Sequence, residues 1–101
     1  MAIDLFCYSS ASPRESEVIL GSLAKVHWKL FDRKFLLSKV SEANEFHKEI
    51  SLGYGMHARS FFMVRLNEKA AADQIPKVVE LMKNSFNKTK FLVLHENEKP
   101  V

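Results

Sequence analysis

Short runs of strand-forming residues recur along this chain, and the stretches between them carry apolar side chains at helical spacing. That alternation limits the possible folds more than any other feature. Ala2-Ile3-Asp4-Leu5-Phe6-Cys7-Tyr8 is rich in branched and aromatic residues and stops at Ser9-Ser10, so it reads as a first strand. Ser12-Pro13-Arg14-Glu15 then supplies an N-cap hydroxyl, a proline at the first helical position and a glutamate placed to complete a capping box. Ile19, Leu23, Val26 and Leu30 continue that helix as one apolar stripe that would lie on a sheet. After the charged Asp32-Arg33-Lys34 turn, Phe35 to Val40 predicts a second strand. Ser41 can cap a second helix through Leu52, with Ala43, Phe46, His47 and Ile50 on one side and Gly53 and Gly55 as stop signals. SFFMVRL, Ser60 to Leu66, is nearly continuous in apolar residues, the pattern of a strand covered on both faces. Asp73 can cap a third helix, Gln74 to Phe86, whose first turn tolerates Pro76 and whose buried face is Val78, Val79, Leu81, Met82 and Phe86. KFLVLH, Lys90 to His95, closes the series as a fourth strand.

The resulting order is βαβαβαβ, which predicts an α/β fold: a four-stranded, mostly parallel or mixed sheet with helices packed on it through right-handed crossovers. The alternative treats the middle helix as an insertion, and the string then becomes a βαββαβ ferredoxin-like α+β sandwich with strands two and three antiparallel. With 101 residues, the chain suits a single globular domain spanning 1–101. A domain of that size buries roughly 65% of its unfolded surface, so it needs no crosslinks or metals. Hydrophobic residues at 47% and charged residues at 27% are ordinary for a soluble domain. MAIDLFCYSS lacks the basic start of a secretory signal, and no window approaches the roughly 20 apolar residues of a membrane span, so a cytoplasmic protein without membrane contact is expected.

Chemistry would have to come from few groups. Cys7 is the single cysteine, and His27, His47, His57 and His95 are scattered without ligand spacing, so no metal site and no disulfide are expected. Cys7 lies at the carboxyl end of the first strand, before a helix N-terminus, where a thiolate can be stabilised and an anion held. The surrounding stretch is similar to the phosphocysteine loop of sugar-phosphotransferase IIB domains. That similarity implies a phosphotransfer enzyme using Cys7, although Tyr8-Ser9-Ser10-Ala11 replaces the small-residue stretch typical of that loop. A buried cysteine acting as a small hydrophobe is the commoner arrangement and the one expected here. Gly53-x-Gly55-x-x-Ala58 matches a loose dinucleotide fingerprint, but a helix precedes it and a strand follows, the reverse of what that fingerprint requires. Lys25, Lys29, Arg33, Lys34 and Lys39 interleave with Trp28, Phe31 and Phe35, which could serve a small nucleic-acid-binding domain. On a helix, however, lysines normally form the solvated face while aromatics pack inward, so no nucleic-acid partner is expected.

Without a catalytic constellation, a non-catalytic binding protein is the leading class. AIDLFCYSS, NEFHKEISLGYG and SFFMVRLN together give the chain a resemblance to small bacterial immunity proteins of contact-dependent growth inhibition systems. The resemblance implies a cytosolic protein that binds and blocks a cognate toxin domain delivered by a neighbouring cell, with no cofactor. A formal charge of +3 then points to steric occlusion or to pairing with an acidic patch on the toxin. Tyr54, His57 and Arg59 are the expected partner-binding anchors, because planar amphipathic side chains dominate interface hot spots, with Lys39 or Arg65 adding steering charge.

Overall fold

The computed structural model describes residues 3–87, 90–95 and 99–100. In chain order its elements are β1 (Ile3–Ser9), α1 (Pro13–Val26), α2 (Trp28–Phe31), β2 (Phe35–Leu37), β3 (Ser41–Glu42), α3 (Glu45–Leu52), β4 (Ser60–Leu66), a 3-10 helix (Lys69–Gln74), α4 (Ile75–Phe86), β5 (Phe91–His95) and β6 (Lys99–Pro100). Ala2, expected in the first strand, lies outside the described residues.

The sheet has the order β2-β4-β1-β5-β6, with β3 also paired to β4, and every pairing is antiparallel. The mostly parallel, four-stranded expectation is therefore corrected. Its premise still holds locally: β1 and β2 run in the same direction, as do β4 and β5, as a helical crossover demands. What the premise misses is that β4 inserts between β1 and β2, while β1 inserts between β4 and β5. The α1 and α4 crossovers thus each span one intervening strand of opposite direction. The antiparallel β2–β4 neighbours, joined through a connection that contains α3, form the pairing the βαββαβ alternative required. At the centre, Cys7 is opposite Phe62 on one side and Val93 on the other.

Local chemistry explains the shifted boundaries. The strand expected over 35–40 stops at Leu37, because the Ser38 hydroxyl accepts the Met63 N–H at 2.7 Å and the Ser38 N–H donates to the Met63 carbonyl at 2.9 Å. Pairing resumes with Ser41 opposite Phe61, so four residue steps on this side oppose three on β4, a bulge. Ser41 is consequently a strand residue and not a helix cap. Asn44 takes that role: its side chain accepts the His47 N–H at 2.9 Å while its own N–H donates to His47 Nδ1 at 3.3 Å. Nor does Asp73 cap a helix, since residues 69–74 form a 3-10 turn that runs directly into α4. The N-cap of α1 is as read, with the Ser12 hydroxyl accepting the Glu15 N–H at 3.2 Å; the Glu15 carboxylate accepts from the Ser12 hydroxyl at 3.0 Å in place of the backbone N–H that a full capping box would use.

The sheet carries apolar packing on both faces. On the helical side Leu5, Cys7, Phe62, Val64 and Val93 meet Leu20 and Leu23 of α1 and Val78, Val79, Met82 and Phe86 of α4. Phe86 stacks on Phe91 at 4.6 Å and lies 5.5 Å from Phe62. Burying each such side chain contributes about 1.5–3 kcal/mol. The opposite face is covered only in part: Tyr8, Ala43, Met56, Ala58 and Leu94 are buried around Phe61 and Ile50. SFFMVRL accordingly alternates, with Ser60, Phe62 and Val64 buried, Phe61 and Met63 half-buried and Arg65 exposed. The expectation of full cover on both faces is corrected to one full face and one partial one.

Candidate functional site

Two connections meet at one end of the sheet, the β1–α1 turn and the loop from α3 to β4. The second is held in shape by its own backbone. Tyr54 and Met56 donate N–H bonds to the Ser51 carbonyl at 3.0 Å, and the Ala58 N–H donates to the buried Ser51 hydroxyl at 3.2 Å. Gly55 supplies the φ of +77° that the reversal needs, a conformation open to glycine at little cost. The loop is then tied to its neighbour: the Arg59 N–H donates to the Ser9 carbonyl at 2.7 Å and the Ser10 hydroxyl to the His57 carbonyl at 2.9 Å.

Beneath this junction lies a chain of buried hydroxyls. Ser60 donates to the Ala11 carbonyl at 2.9 Å, and its oxygen lies 2.6 Å from that of Ser16. A hydroxyl has one proton, so Ser60 spends its proton on Ala11 and Ser16 is the donor between the two serines. Ser9, Ser16 and Ser60 are all fully buried. These bonds fix the relative position of the two connections, so little ordering entropy remains to be lost on binding.

The junction opens outward into a groove of about 520 Å³ lined by Ser10, Pro13, Glu42, Lys48, His57 and Arg59. The structure thus brings two of the expected anchors, His57 and Arg59, to one concave surface. Tyr54 is on the same loop, 45% exposed, but outside the groove. Lys39 sits exposed in the β2–β3 bulge, apart from the groove. Arg65 is at the far end of β4, about 20 Å from Arg59 at the rise of an extended strand. Its guanidinium is engaged by Asp4, at 2.7 Å from Nε and 3.2 Å from Nη2. That hydrogen bond holds the Asp4 carboxyl below its ordinary range and the Arg65 guanidinium above its own. Sequence reasoning missed Lys48, Glu42 and Ser10. The capping register of α3, once read from Asn44, is the signal that would have placed Lys48 on the groove side.

Cys7 occupies the middle of β1 with none of its surface exposed, and burial pushes its thiol far up, away from the thiolate. Its Sγ lies 3.9 Å from the Leu5 carbonyl. A phosphoryl donor has no access to it, and the hydroxyls that follow it, Ser9 and Ser10, are committed to internal hydrogen bonds. In the basic, aromatic segment Phe31 and Phe35 are buried and Trp28 alone of the three rings is exposed, at 56%. His47 stacks on Phe61 at 4.0 Å, and loss of solvation lowers its pKa. Among the described residues no three His, Cys, Asp or Glu side chains are grouped to hold a metal, and no helix is long and apolar enough to cross a membrane.

Comparison with known proteins gives concordant matches. Residues 1–99 match the family model described as CDI System Immunity Component. The chain is 44% identical over 98 residues, 97% of each chain, to Immunity protein CdiI-2 of Burkholderia pseudomallei (strain 1026b). Its fold matches a chain of the solved CdiA-CT/CdiI toxin and immunity complex from Burkholderia pseudomallei with a TM-score of 0.93 and 42% identity, covering 97% of this chain and 95% of that one.

Proposed function

Because the chain belongs to the family of immunity components of contact-dependent growth inhibition systems, we propose that it acts in the cytoplasm as a non-catalytic partner that binds and neutralises a cognate toxin domain. The observation that carries this reading is the near-complete match, at a TM-score of 0.93 and 42% identity, to a chain solved within a toxin and immunity complex. The buried thiol supports it as well, since the alternative based on phosphotransfer needs Cys7 at a surface.

Neutralisation then works by complementarity. A rigid patch covers the toxin and buries about 1,200–2,000 Å² in total. Tyr54, His57 and Arg59 are the anchors, presented by a loop whose conformation is set before the partner arrives. Lys39, exposed and in no ion pair among the described residues, adds a cation for steering, whereas Arg65, paired with Asp4, contributes planar surface more than charge. The reading needs no cofactor.

The test is co-expression with the toxic domain encoded beside this gene. Growth should be rescued and the two proteins should copurify; absence of both results removes the reading. Within a bound complex, Arg59→Ala or Tyr54→Ala should raise Kd by about tenfold or more, the usual cost of an anchor.

A further inference from the structure

A second groove lies at the other end of α1 and has a different character. It measures about 460 Å³ and is lined by Trp28, Lys29, Lys34 and Lys77 together with Val26 and Leu30. The three lysines come from three separate places in the chain: α2, the turn before β2, and α4. That turn is fixed. Arg33 adopts φ +60°, its carbonyl accepts the Asn67 side-chain amide at 2.7 Å, and the Lys34 carbonyl accepts the Asn67 N–H at 2.8 Å. Among the described residues no carboxylate lines the groove; Asp32 belongs to the adjacent one beside Phe35 and Leu36. Among the described residues none of the three lysines is in an ion pair. Unopposed ammonium groups held together repel one another, and an anionic partner relieves that repulsion.

Trp28 and Val26, 56% and 70% exposed, provide apolar surface beside the cations. The Lys29 ammonium lies 5.9 Å from the centre of the Trp28 ring. An exposed tryptophan rimmed by lysines suits a peptide segment bearing carboxylates, whose methylene groups cover the indole while its charges meet the ammonium groups. Single-stranded nucleic acid requires several aromatic platforms in succession, and here Phe31 and Phe35 are buried, which leaves one. We propose that this groove is a second docking site for the toxin domain and that it receives an acidic segment of that domain. The proposal rests on the immunity reading. With 14 residues, α1 places the two grooves about 20 Å apart, a separation that one interface of about 800 Å² per partner can span.

The test compares the full-length chain with the triple variant Lys29→Glu/Lys34→Glu/Lys77→Glu by titration against the toxin domain encoded beside the gene, at several salt concentrations. The triple variant should bind about tenfold or more weakly, and the weakening of binding by salt seen for the wild type should be reduced. Trp28→Ala should lower affinity with the salt dependence retained. If the charge-reversed protein does not fold, the neutral set Lys29→Gln/Lys34→Gln/Lys77→Gln takes its place. Wild-type affinity and salt dependence in the lysine variants would overturn the proposal while leaving the immunity reading intact. So would binding of a short single-stranded RNA that these variants abolish while toxin affinity stays unchanged, which would reassign the groove to nucleic acid. Failure of the wild type to bind the toxin domain at all would remove the immunity reading and this proposal with it.

Discussion

Replacing Cys7 by serine changes one atom and should nevertheless destabilise the protein measurably. The side chain is fully buried between the central strand and the helices, and among the described residues its sulfur has one hydrogen-bond partner, the Leu5 carbonyl at a long 3.9 Å. A hydroxyl placed there loses its water without a well-formed partner, at a cost of about 1–3 kcal/mol. Cys7→Ala instead removes one apolar atom and leaves a small void, for about 1 kcal/mol. At roughly 4–8 °C per kcal/mol for a domain of this size, the serine variant should melt between about 4 and 24 °C below the wild type, and below the alanine variant. Neither loss exhausts the 5–15 kcal/mol typical of a small domain, so about all molecules stay folded at 25 °C. Thermal unfolding followed by circular dichroism, with toxin titration at 25 °C, checks both parts. Toxin affinity should be unchanged in both variants, and a thiol reagent should label the wild type only as fast as the fold opens. A serine variant as stable as the wild type, or one that keeps its Tm but loses neutralisation, would refute the assignment of this thiol to packing.

Further expectations follow from the hydrogen-bonded junction and from α3. Ser60→Ala leaves the Ser16 hydroxyl and the Ala11 carbonyl without their partner and should cost about 1–3 kcal/mol, read from a urea midpoint. Combined with Ser16→Ala, it should cost less than the sum of the two single changes, because both remove the same bond. Asn44→Ala removes the cap of α3 and should cost about 1 kcal/mol, with amide exchange accelerating first in residues 45–52. His47 faces the rings of Tyr8, Phe46 and Phe61 and accepts the Asn44 N–H on Nδ1, an arrangement that requires the neutral imidazole. Its folded pKa is lowered from 6.5 by loss of solvation, so the unfolded chain takes up the proton first. Its contribution to stability is therefore full above about pH 6.5 and falls as pH drops through the window below that value. Urea midpoints at pH 7.5 and 5 should differ more for the wild type than for His47→Gln; equal differences would count against this role.

Local signals were legible in the sequence and distant ones were not. Ser12-Pro13-Arg14-Glu15 announced the start of α1 because an N-cap and the N–H it accepts lie within four residues. SFFMVRL and KFLVLH announced strands for a similar reason. The cap of α3 was misplaced because Ser41 has the right chemistry for a cap, whereas its actual position is set by pairing with Phe61, twenty residues away. His47 at the third helical position also lies outside the Glu/Gln rule, although its Nδ1 performs the same service. Strand direction failed on topology: nothing within β1-α1-β2 reveals that a later strand will separate β1 from β2. For the surface, His57 and Arg59 were grouped because their loop is contiguous, and both line one groove. Lys39 and Arg65 were grouped with them on charge, but charge carries no distance, and Arg65 turned out to be occupied by Asp4, sixty-one residues away. Trp28 could be told from Phe31 and Phe35 only once the short α2 had fixed which rings point inward.

The sheet is long at its centre and short at its margins. β1 and β4 each run for seven residues, whereas β2 at one rim has three and β6 at the other has two. Open strand borders invite other chains to add on, and a border this brief offers a newcomer too few backbone bonds to hold. A chain with such borders can therefore accumulate on its own without seeding fibres of its own kind.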